Sequence, residues 1–182
     1  MIDLETLGTN TDSVIIAIGA CKFDLTAGTI DDEGFYASVS IESNLAIGRT
    51  ISESTLMWWM QQSPEARRVF GEEKVPLVAA LEDFETWLGG KKLRPWGNGP
   101  TFDLGKVAHA FHQHGWEAPW DYWDERCCRT YRALPGAKTV PRPAPAIAHH
   151  ALHDAVAQAQ WMIDIHKAVF VEGRARSSMV RS

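Results

Sequence analysis

The feature that most constrains the fold is a run of β-branched and small apolar residues at positions 13–24. No charged residue interrupts this run before Lys22, and such a composition favours a long, mostly buried β-strand. The segment 34–40 mixes apolar and polar residues in the alternating manner of a further, half-buried strand. Together with the short stretch 1–5, these segments predict an antiparallel β-meander at the start of the chain.

The remainder of the chain is dominated by helical periodicity. Apolar residues recur at spacings of three and four, and Gly89 and Gly90 provide a stop signal after one such segment. The predicted elements after the meander are a short helix within 52–60, another beginning near Pro64, longer helices at 77–88, 103–111 and 150–169, and short strands at 93–97 and within 119–125. Strands and helices arranged in this way predict a mixed α/β layer fold.

The length of 182 residues suits one domain with a sizeable core. We expect this domain to span 1–172, and we expect the polar segment 173–182 to form a mobile tail. The net charge of −5 argues against a protein that coats nucleic acid through bulk positive charge. No apolar run approaches the ~20 residues that a membrane-spanning helix needs. The three cysteines form no disulfide or zinc pattern, so a cytoplasmic protein with reduced thiols is the simplest expectation.

Two carboxylates in the first predicted strand suggest a metal site. Asp3 and Glu5 lie two residues apart, so their side chains point to one face of a strand while Leu4 points to the other. Ionised carboxylates this close repel one another unless a cation lies between them. Hard oxygen ligands suit Mg²⁺ or Mn²⁺. The alternative is a solvated strand edge with two surface acids.

Two further acids occur where helices are expected to begin. Asp103 follows a Gly-Asn-Gly loop, and Asp154 lies in the first turn of the last long helix. A mixed sheet can bring the end of one strand beside the starts of two helices. Four carboxylates at such a point suit two divalent cations, about 3.5–4 Å apart, acting on a phosphodiester. The alternatives are a helix cap for Asp103 and a solvated acid for Asp154.

Histidines near Asp154 could take a proton from an attacking water. His150 precedes Asp154 by four residues and would face it if both lay in the helix, whereas His153 would turn away. His149 could approach the same acid from the loop before the helix. The residues alone leave the choice between His149 and His150 open.

Aromatic and basic residues offer candidate contacts to a nucleic acid. Trp58 and Trp59 could stack on a base, although tryptophans are more often part of a core. The segment 126–142 contains five basic residues and no acid, so Arg126 and Arg129 could hold phosphates. A solvated basic surface is the alternative for this segment.

Three short motifs resemble those of the DEDDh (DnaQ-like) 3′–5′ exonuclease superfamily. They are Asp3-Leu4-Glu5-Thr6, the Phe102-Asp103 step, and His149 followed five residues later by Asp154. Residues 52–59 and 126–130 are similar to a small single-domain, exoribonuclease-like branch found in bacteria and phages. The resemblance implies an RNase H-like mixed sheet, with an antiparallel meander first and parallel strands after it, flanked by helices.

The resemblance also implies roles for individual residues. Asp3, Glu5 and Asp154 would hold one Mg²⁺ or Mn²⁺ ion. Asp3 would also hold a second ion, which Asp103 would support through water, and His149 would act as general base. Substrate contacts are expected from Thr6, Leu7, Trp58, Trp59, Phe102, Arg126 and Arg129.

The expected activity is hydrolysis of phosphodiester bonds at the 3′ ends of single-stranded RNA or at 3′ overhangs, with release of nucleoside 5′-monophosphates. RNA is favoured through the branch resemblance alone. The alternatives are a 3′–5′ exodeoxyribonuclease, a catalytically silent nucleic-acid-binding subunit of the same fold, and a metal-dependent nucleotide phosphatase. The complete set of four carboxylates and a histidine argues against the silent subunit. The resemblance is compatible with a homodimer, and no membrane partner is expected.

Overall fold

The computed structural model describes residues 1–90 and 93–172. Five short strands come first in the chain, and helices with two further strands follow them. The strands are β1 (Ile2–Thr6), β2 (Ile15–Ala20), β3 (Phe23–Asp24), β4 (Thr29–Ile30), β5 (Phe35–Ser38), β6 (Trp96–Gly97) and β7 (Arg126–Cys127). The α-helices are α1 (Ile41–Ala46), α2 (Glu53–Met60), α3 (Leu77–Leu88), α4 (Asp103–Gln113), α5 (Cys128–Arg132) and α6 (Ala151–His166). A π-helical segment, Lys167–Glu172, follows α6. The predicted tail at 173–182 lies outside the described residues.

The main sheet has three antiparallel strands in the order β1-β2-β5. A parallel pair is formed by β6 and β7, with Trp96 opposite Arg126 and Gly97 opposite Cys127. β6 also contacts β1, so the parallel pair lies beside the meander. This arrangement confirms the prediction of an RNase H-like mixed sheet in which an antiparallel meander precedes parallel strands.

The predicted long strand at 13–24 is wrong in its second half. β2 pairs with β1 as far as Ala20, and the chain then forms a separate hairpin in which β3 pairs with β4. Asp24 holds the turn of this hairpin, because its Oδ1 accepts hydrogen bonds from the N–H groups of Thr26 and Ala27 at 2.7 and 2.8 Å. Local pairing through this turn therefore replaces continuation of the main sheet.

Alternation along β1 directs its side chains to two different layers. Leu4 belongs to the same core cluster as Phe84 of α3 and Leu104 of α4. Asp3 and Glu5 point to the opposite face of the strand, where α6 contacts both β1 and β2. The two carboxylates therefore lie between the sheet and α6.

A glycine in β2 brings α6 close to the sheet. Gly19 pairs with Asp3, and a Cβ built on Gly19 would lie 2.1 Å from the backbone of Ala151 and Leu152. Any side chain at Gly19 would push the start of α6 away from β1. Because Asp154 lies one turn into α6, this contact sets its distance from the acids of β1.

The predicted longer helices are present with small changes at their ends. α3 ends at Gly89, whose left-handed conformation (φ 74°) provides the expected stop. α6 begins at Ala151 and ends at His166, so the predicted span of 150–169 is slightly too long. After Pro64, the chain forms a short 3₁₀ helix rather than an α-helix. Within the described part of the chain, no helix combines the length and the apolar character needed to cross a membrane.

α1 is a helix that the sequence patterns do not predict. Ser40 caps it, because Ser40 Oγ accepts a hydrogen bond from the N–H of Ser43 at 3.2 Å. Asn44 is fully buried in α1. Its side chain exchanges two hydrogen bonds of 3.0 Å with the backbone of Ile15. α1 therefore depends on a long-range polar contact with β2 rather than on apolar periodicity.

The strand predicted within 119–125 is also wrong. A 3₁₀ turn, Tyr122–Asp124, occupies this segment, and β7 follows it. The backbone N–H of Arg126 donates to the carbonyl of Pro95 at 2.8 Å, which fixes the pairing register of β7 with β6. The sequence prediction is therefore displaced by a few residues.

Candidate active site

Asp3 and Glu5 lie on the face of β1 that α6 covers. Asp3 is opposite Gly19 and Glu5 is opposite Ala17 in the antiparallel ladder, so only small residues adjoin them on β2. Glu5 is buried, at 7% exposure, whereas Asp3 remains partly accessible from an open cleft although protein atoms surround it densely. The ladder shifts register just after Glu5, and regular pairing ends there.

The first turn of α6 brings a third carboxylate to the cleft. Asp154 is nearly buried, and its Oδ2 accepts a hydrogen bond from the backbone N–H of His149 at 2.8 Å. Potential ligand atoms of Glu5, His149 and Asp154 lie within 4.8 Å of one another. Asp154 therefore faces the cleft rather than bulk solvent.

The fourth carboxylate, that of Asp103, is 2% exposed and belongs to the first residue of α4. It accepts hydrogen bonds from the backbone N–H groups of Leu4 and Asn98, the latter at 3.1 Å. A Cβ built on Gly97 would lie 3.2 Å from Asp103 Oδ2, so this glycine leaves space for the carboxylate. Asp103 is thus fixed against β1 and does not cap its own helix.

Burial disfavours the charged forms of Asp3, Glu5 and Asp103, and repulsion by neighbouring acids adds to this effect for Asp3 and Glu5. The pKa of Glu5 is raised to about 8, mainly by burial and then by the charges of Asp154 and Asp103. Burial raises the pKa of Asp103 to about 7, although hydrogen bonds to its carboxylate oppose the rise. The pKa of Asp3 is raised well above its ordinary value by burial first and by neighbouring acids next. A hydrogen bond from Gln158 only partly offsets this rise.

This donor set fits a hard divalent cation. Compensating positive charge is limited: Arg142 lies 3.6 Å from Asp154 Oδ1, and Lys106 and Arg129 act on Asp103 from outside the cleft. Clustered carboxylates suit Mg²⁺ or Mn²⁺. A cation among them would relieve the repulsion that contributes to the raised pKa values of Asp3 and Glu5.

Asp3, Glu5 and Asp154 border an open cleft of about 510 Å³, whereas the buried Asp103 is not part of its lining. Its lining also includes four of the residues expected to contact substrate, namely Thr6, Trp58, Trp59 and Phe102. A second cavity, of about 480 Å³, lies near the start of β1 between Met1, Trp87 and Trp120. Among the described residues, Asp3, Glu5 and Asp154 line the first cavity, and none of the four acids lines the second.

The two adjacent tryptophans have different environments. Trp59 is 1% exposed, and its Nε1 donates to the carbonyl of Thr6 at 2.9 Å, so it anchors α2 to the end of β1. Trp58 is 41% exposed and lies edge-on to His149, with ring centroids 4.9 Å apart. Trp58 and Phe102 therefore present aromatic surface to the cleft, whereas Trp59 is mainly structural.

The three histidines near Asp154 occupy distinct positions. His149 lines the cleft just before α6 and has a left-handed backbone conformation (φ 59°). His150 is the residue that precedes the first helical residue, so the helical geometry that would turn it toward Asp154 does not apply. Its ring stacks on Tyr36 and on His153, with centroid distances of 4.4 and 4.1 Å. In the described cleft, His149 is the histidine that borders the acids.

Three residues expected to contact substrate do not line the cleft. Leu7 is 1% exposed and packs in the core. Arg126 donates to two carbonyl groups of its own segment, both at 2.9 Å. Arg129 lies against Gly99, where a Cβ would be 3.1 Å from its guanidinium carbon. Arg129 is thus near the loop that leads to Asp103, but outside the cleft itself.

Two polar residues of the cleft escape the sequence patterns. Gln158 is 3% exposed, and its Nε2 donates to Asp3 Oδ1 at 2.7 Å. The sequence feature that could have identified Gln158 is its spacing of four residues from Asp154, which places both residues on one face of α6. Arg142 belongs to the basic segment, but its position between two prolines is all that distinguishes it there.

Comparison with known proteins agrees with the chemistry of this cleft. A family model described as the 3′–5′ exoribonuclease Rv2179c-like domain matches residues 1–166. The chain is also similar to an exodeoxyribonuclease of Enterobacteria phage T4, with 27% identity over 116 residues. That similarity covers 57% of this chain and 51% of the phage protein, so the chain spans about half the length of this relative.

Proposed function

The chain belongs to the Rv2179c-like 3′–5′ exoribonuclease domain family, and on this basis we propose that it is a metal-dependent 3′–5′ exonuclease. The proposed reaction removes nucleoside 5′-monophosphates from the 3′ ends of single-stranded RNA or from 3′ overhangs. The observation that carries the proposal is the convergence of Asp3, Glu5 and Asp154 on one open cleft, with the buried Asp103 close enough to act electrostatically on Asp3 and Glu5. Four acids held together against their repulsion are typical of a site for divalent cations.

The proposed cation ligands are the four acids. Asp3, Glu5 and Asp154 would hold one Mg²⁺ or Mn²⁺ ion, and Asp3 would share a second that Asp103 supports through water. When bound, such cations supply Lewis-acid stabilisation of the charge on the reacting phosphate. The chain itself orients these ligands, because the β1 ladder carries Asp3 and Glu5 and the amide of Gln158 donates to Asp3.

We assign His149 as the general base. Its imidazole lies within 4.8 Å of ligand atoms of Glu5 and Asp154, where it can accept a proton from the attacking water. Its backbone N–H is held by Asp154, and the edge of Trp58 borders its ring. These contacts fix the place of His149 at the mouth of the cleft, beside the site proposed for the reacting phosphate.

The aromatic surface of the cleft supports a single-stranded substrate. Trp58 and Phe102 both line it, and stacking of a base on an aromatic side chain contributes roughly 1–3 kcal/mol. Such stacking requires bases that are not paired within a duplex. The 3′ end of a single strand or an overhang meets this requirement.

The preference for RNA rests on the family description. The name of the phage relative favours DNA, so a 3′–5′ exodeoxyribonuclease is the second candidate. A protein that prefers RNA must sense the 2′-hydroxyl group. The hydroxyl groups of Thr6, Ser54 and Thr55 belong to residues that line the cleft and are the groups we consider for this contact.

The test is digestion of 5′-end-labelled RNA and DNA oligomers of one sequence by the purified protein in Mg²⁺, Mn²⁺ or EDTA. We expect stepwise shortening of the RNA from its 3′ end with either metal and none in EDTA. Asp103→Asn and Asp154→Asn should each lower kcat by orders of magnitude. Glu117→Gln, at a side chain that is 97% exposed, is the control and should behave as the wild type.

The alternatives have different signatures in the same assay. Full activity in EDTA would refute the metal mechanism. Faster shortening of DNA would favour the exodeoxyribonuclease, and binding without cleavage would favour a silent subunit. Release of phosphate from mononucleotides, with oligomers left intact, would indicate a nucleotide phosphatase.

A further inference from the structure

Arg142 is the one arginine or lysine that lines the cleft among the residues that the structure describes. Its Nη2 lies 3.6 Å from Asp154 Oδ1, and its side chain is 48% exposed. An ion pair with this exposure contributes little to stability. The ion pair with Asp154 therefore does not by itself explain why an arginine occupies this position.

The backbone around Arg142 is constrained although it has no regular secondary structure. Pro141 and Pro143 fix their own φ angles, and Pro143 also restricts Arg142 to extended conformations. The Nε1 of Trp161 donates to the carbonyl of Val140 at 3.1 Å, which ties the segment to α6. The backbone of Arg142 is thus held at a fixed place, and its guanidinium carbon also lies 5.9 Å from the centroid of the Trp161 ring.

The contact between Arg142 and Asp154 competes with the proposed cation site. Asp154 Oδ2 already accepts a hydrogen bond from His149, and Arg142 approaches the other oxygen, Oδ1. A guanidinium and a divalent cation beside one carboxylate repel each other. Binding of a cation would therefore release the Arg142 side chain into the cleft, where a polyanionic substrate must enter.

We propose that Arg142 binds a backbone phosphate of the nucleic acid, and that it exchanges Asp154 for this phosphate when cations occupy the carboxylates. A guanidinium presents parallel N–H donors that match two phosphate oxygens. It also provides positive charge beside the acids in a protein whose net charge is −5. This inference rests on the proposed exonuclease function and deepens it by naming a substrate-binding residue.

The test compares Arg142→Gln with Arg94→Gln. Arg94 is a matched control because it is an exposed arginine that also lies near an aspartate, Asp124, but outside the cleft. With a single-stranded RNA oligomer in Mn²⁺, Arg142→Gln should raise KM roughly ten- to a hundredfold, as expected for a lost charge-assisted hydrogen bond. Its kcat should stay within about threefold of the wild type, because binding is lost equally in the ground and transition states.

Salt dependence separates a phosphate contact from a structural effect. In Arg142→Gln, the slope of log KM against log salt concentration should fall by roughly 0.7, the value for one phosphate contact on a single strand. Arg142→Lys keeps the charge but not the planar fork, so it should restore the slope and only part of KM. Arg94→Gln should match the wild type in both quantities.

Mn²⁺ binding without nucleic acid provides a readout that does not depend on catalysis. Because Arg142 competes for Asp154, Arg142→Gln should bind Mn²⁺ at least as tightly as the wild type in a calorimetric titration. Weaker Mn²⁺ binding, or a lower kcat with unchanged KM and salt slope, would mean that Arg142 only supports Asp154 and would overturn the proposal.

Failure of the exonuclease function has a different signature from failure of this inference. The wild type would then leave every oligomer intact in every metal. Fluorescence anisotropy of a labelled RNA oligomer in Ca²⁺ still measures binding in that case. A weaker, less salt-dependent affinity in Arg142→Gln would support the phosphate contact, and an affinity equal to that of the wild type would overturn it.

Discussion

Glu5→Gln provides a direct test of the acid cluster through the pH dependence of stability without metal. The pKa of Glu5 is raised from 4.5 to about 8, mainly by burial and then by two neighbouring acids. The stability linked to this carboxyl is therefore fully present below pH 4.5 and is lost as pH rises toward 8. For a change of this size in the pKa, the loss is at most roughly 5 kcal/mol.

Glutamine keeps the shape of Glu5 but cannot ionise, so the variant should lack this loss. The assay is urea denaturation in EDTA at pH 5 and at pH 8. At pH 5 the two proteins should have free energies of unfolding within about 1 kcal/mol of each other. At pH 8 the variant should be more stable than the wild type by several kcal/mol, with the remaining pH dependence coming from Asp3 and Asp103.

Addition of MgCl₂ at pH 8 should act in the opposite direction and stabilise the wild type more than Glu5→Gln. A cation that binds the ionised carboxylates stabilises the folded wild type, and Glu5→Gln should gain less because it has lost a ligand. Glu117→Gln, in which an exposed acid is neutralised, should follow the wild type throughout. Parallel stability profiles for Glu5→Gln and the wild type between pH 5 and 8 in EDTA would refute the reasoning.

Four further substitutions test the general base, the orientation of a ligand, and the core. His149→Ala should lower kcat by roughly 10²–10⁴-fold, whereas His150→Ala should keep most of its turnover; the reverse pattern would reassign the base. Gln158→Leu removes the amide that donates to Asp3 at 2.7 Å. The Mn²⁺ affinity measured by calorimetry should therefore fall roughly tenfold or more. An unchanged affinity would contradict a role of Gln158 in orienting Asp3. Asn44→Ala leaves buried backbone groups of β2 unpaired and should cost about 2–4 kcal/mol in denaturant unfolding; a cost below about 1 kcal/mol would contradict the importance of this contact.

The directions of the acidic side chains follow from rules that act over a few residues. A period of two along β1 places Asp3 and Glu5 on one face, and a spacing of four along α6 places Asp154 and Gln158 on one face. Each of these statements can be made from the sequence. That the two faces meet is a property of the whole fold, and only the resemblance of the motifs predicted it.

The sequence of the basic segment 126–142 does not predict where its arginine side chains point. Residues 126–142 contain no acid, but Asp124 lies just before them, and Arg126 is 3.9 Å from its carboxylate. Arg126 is also engaged by nearby carbonyl groups, so its charge is directed away from the cleft. Arg142 reaches the cleft because the chain from 133 onward returns toward α6. The number of basic residues in the segment does not predict this course of the backbone.

The choice between His149 and His150 depended on where α6 begins, and local sequence does not determine that residue. The loop before the helix ends without a Ser, Thr, Asp or Asn that would mark its cap. The start is fixed instead by Gly19, distant in sequence, whose missing side chain lets the backbone at Ala151 rest on β2. A side chain at Gly19 would displace this turn, and with it the N–H of His149 that donates to Asp154. The position of the proposed base is therefore determined by the contact between α6 and Gly19 of β2.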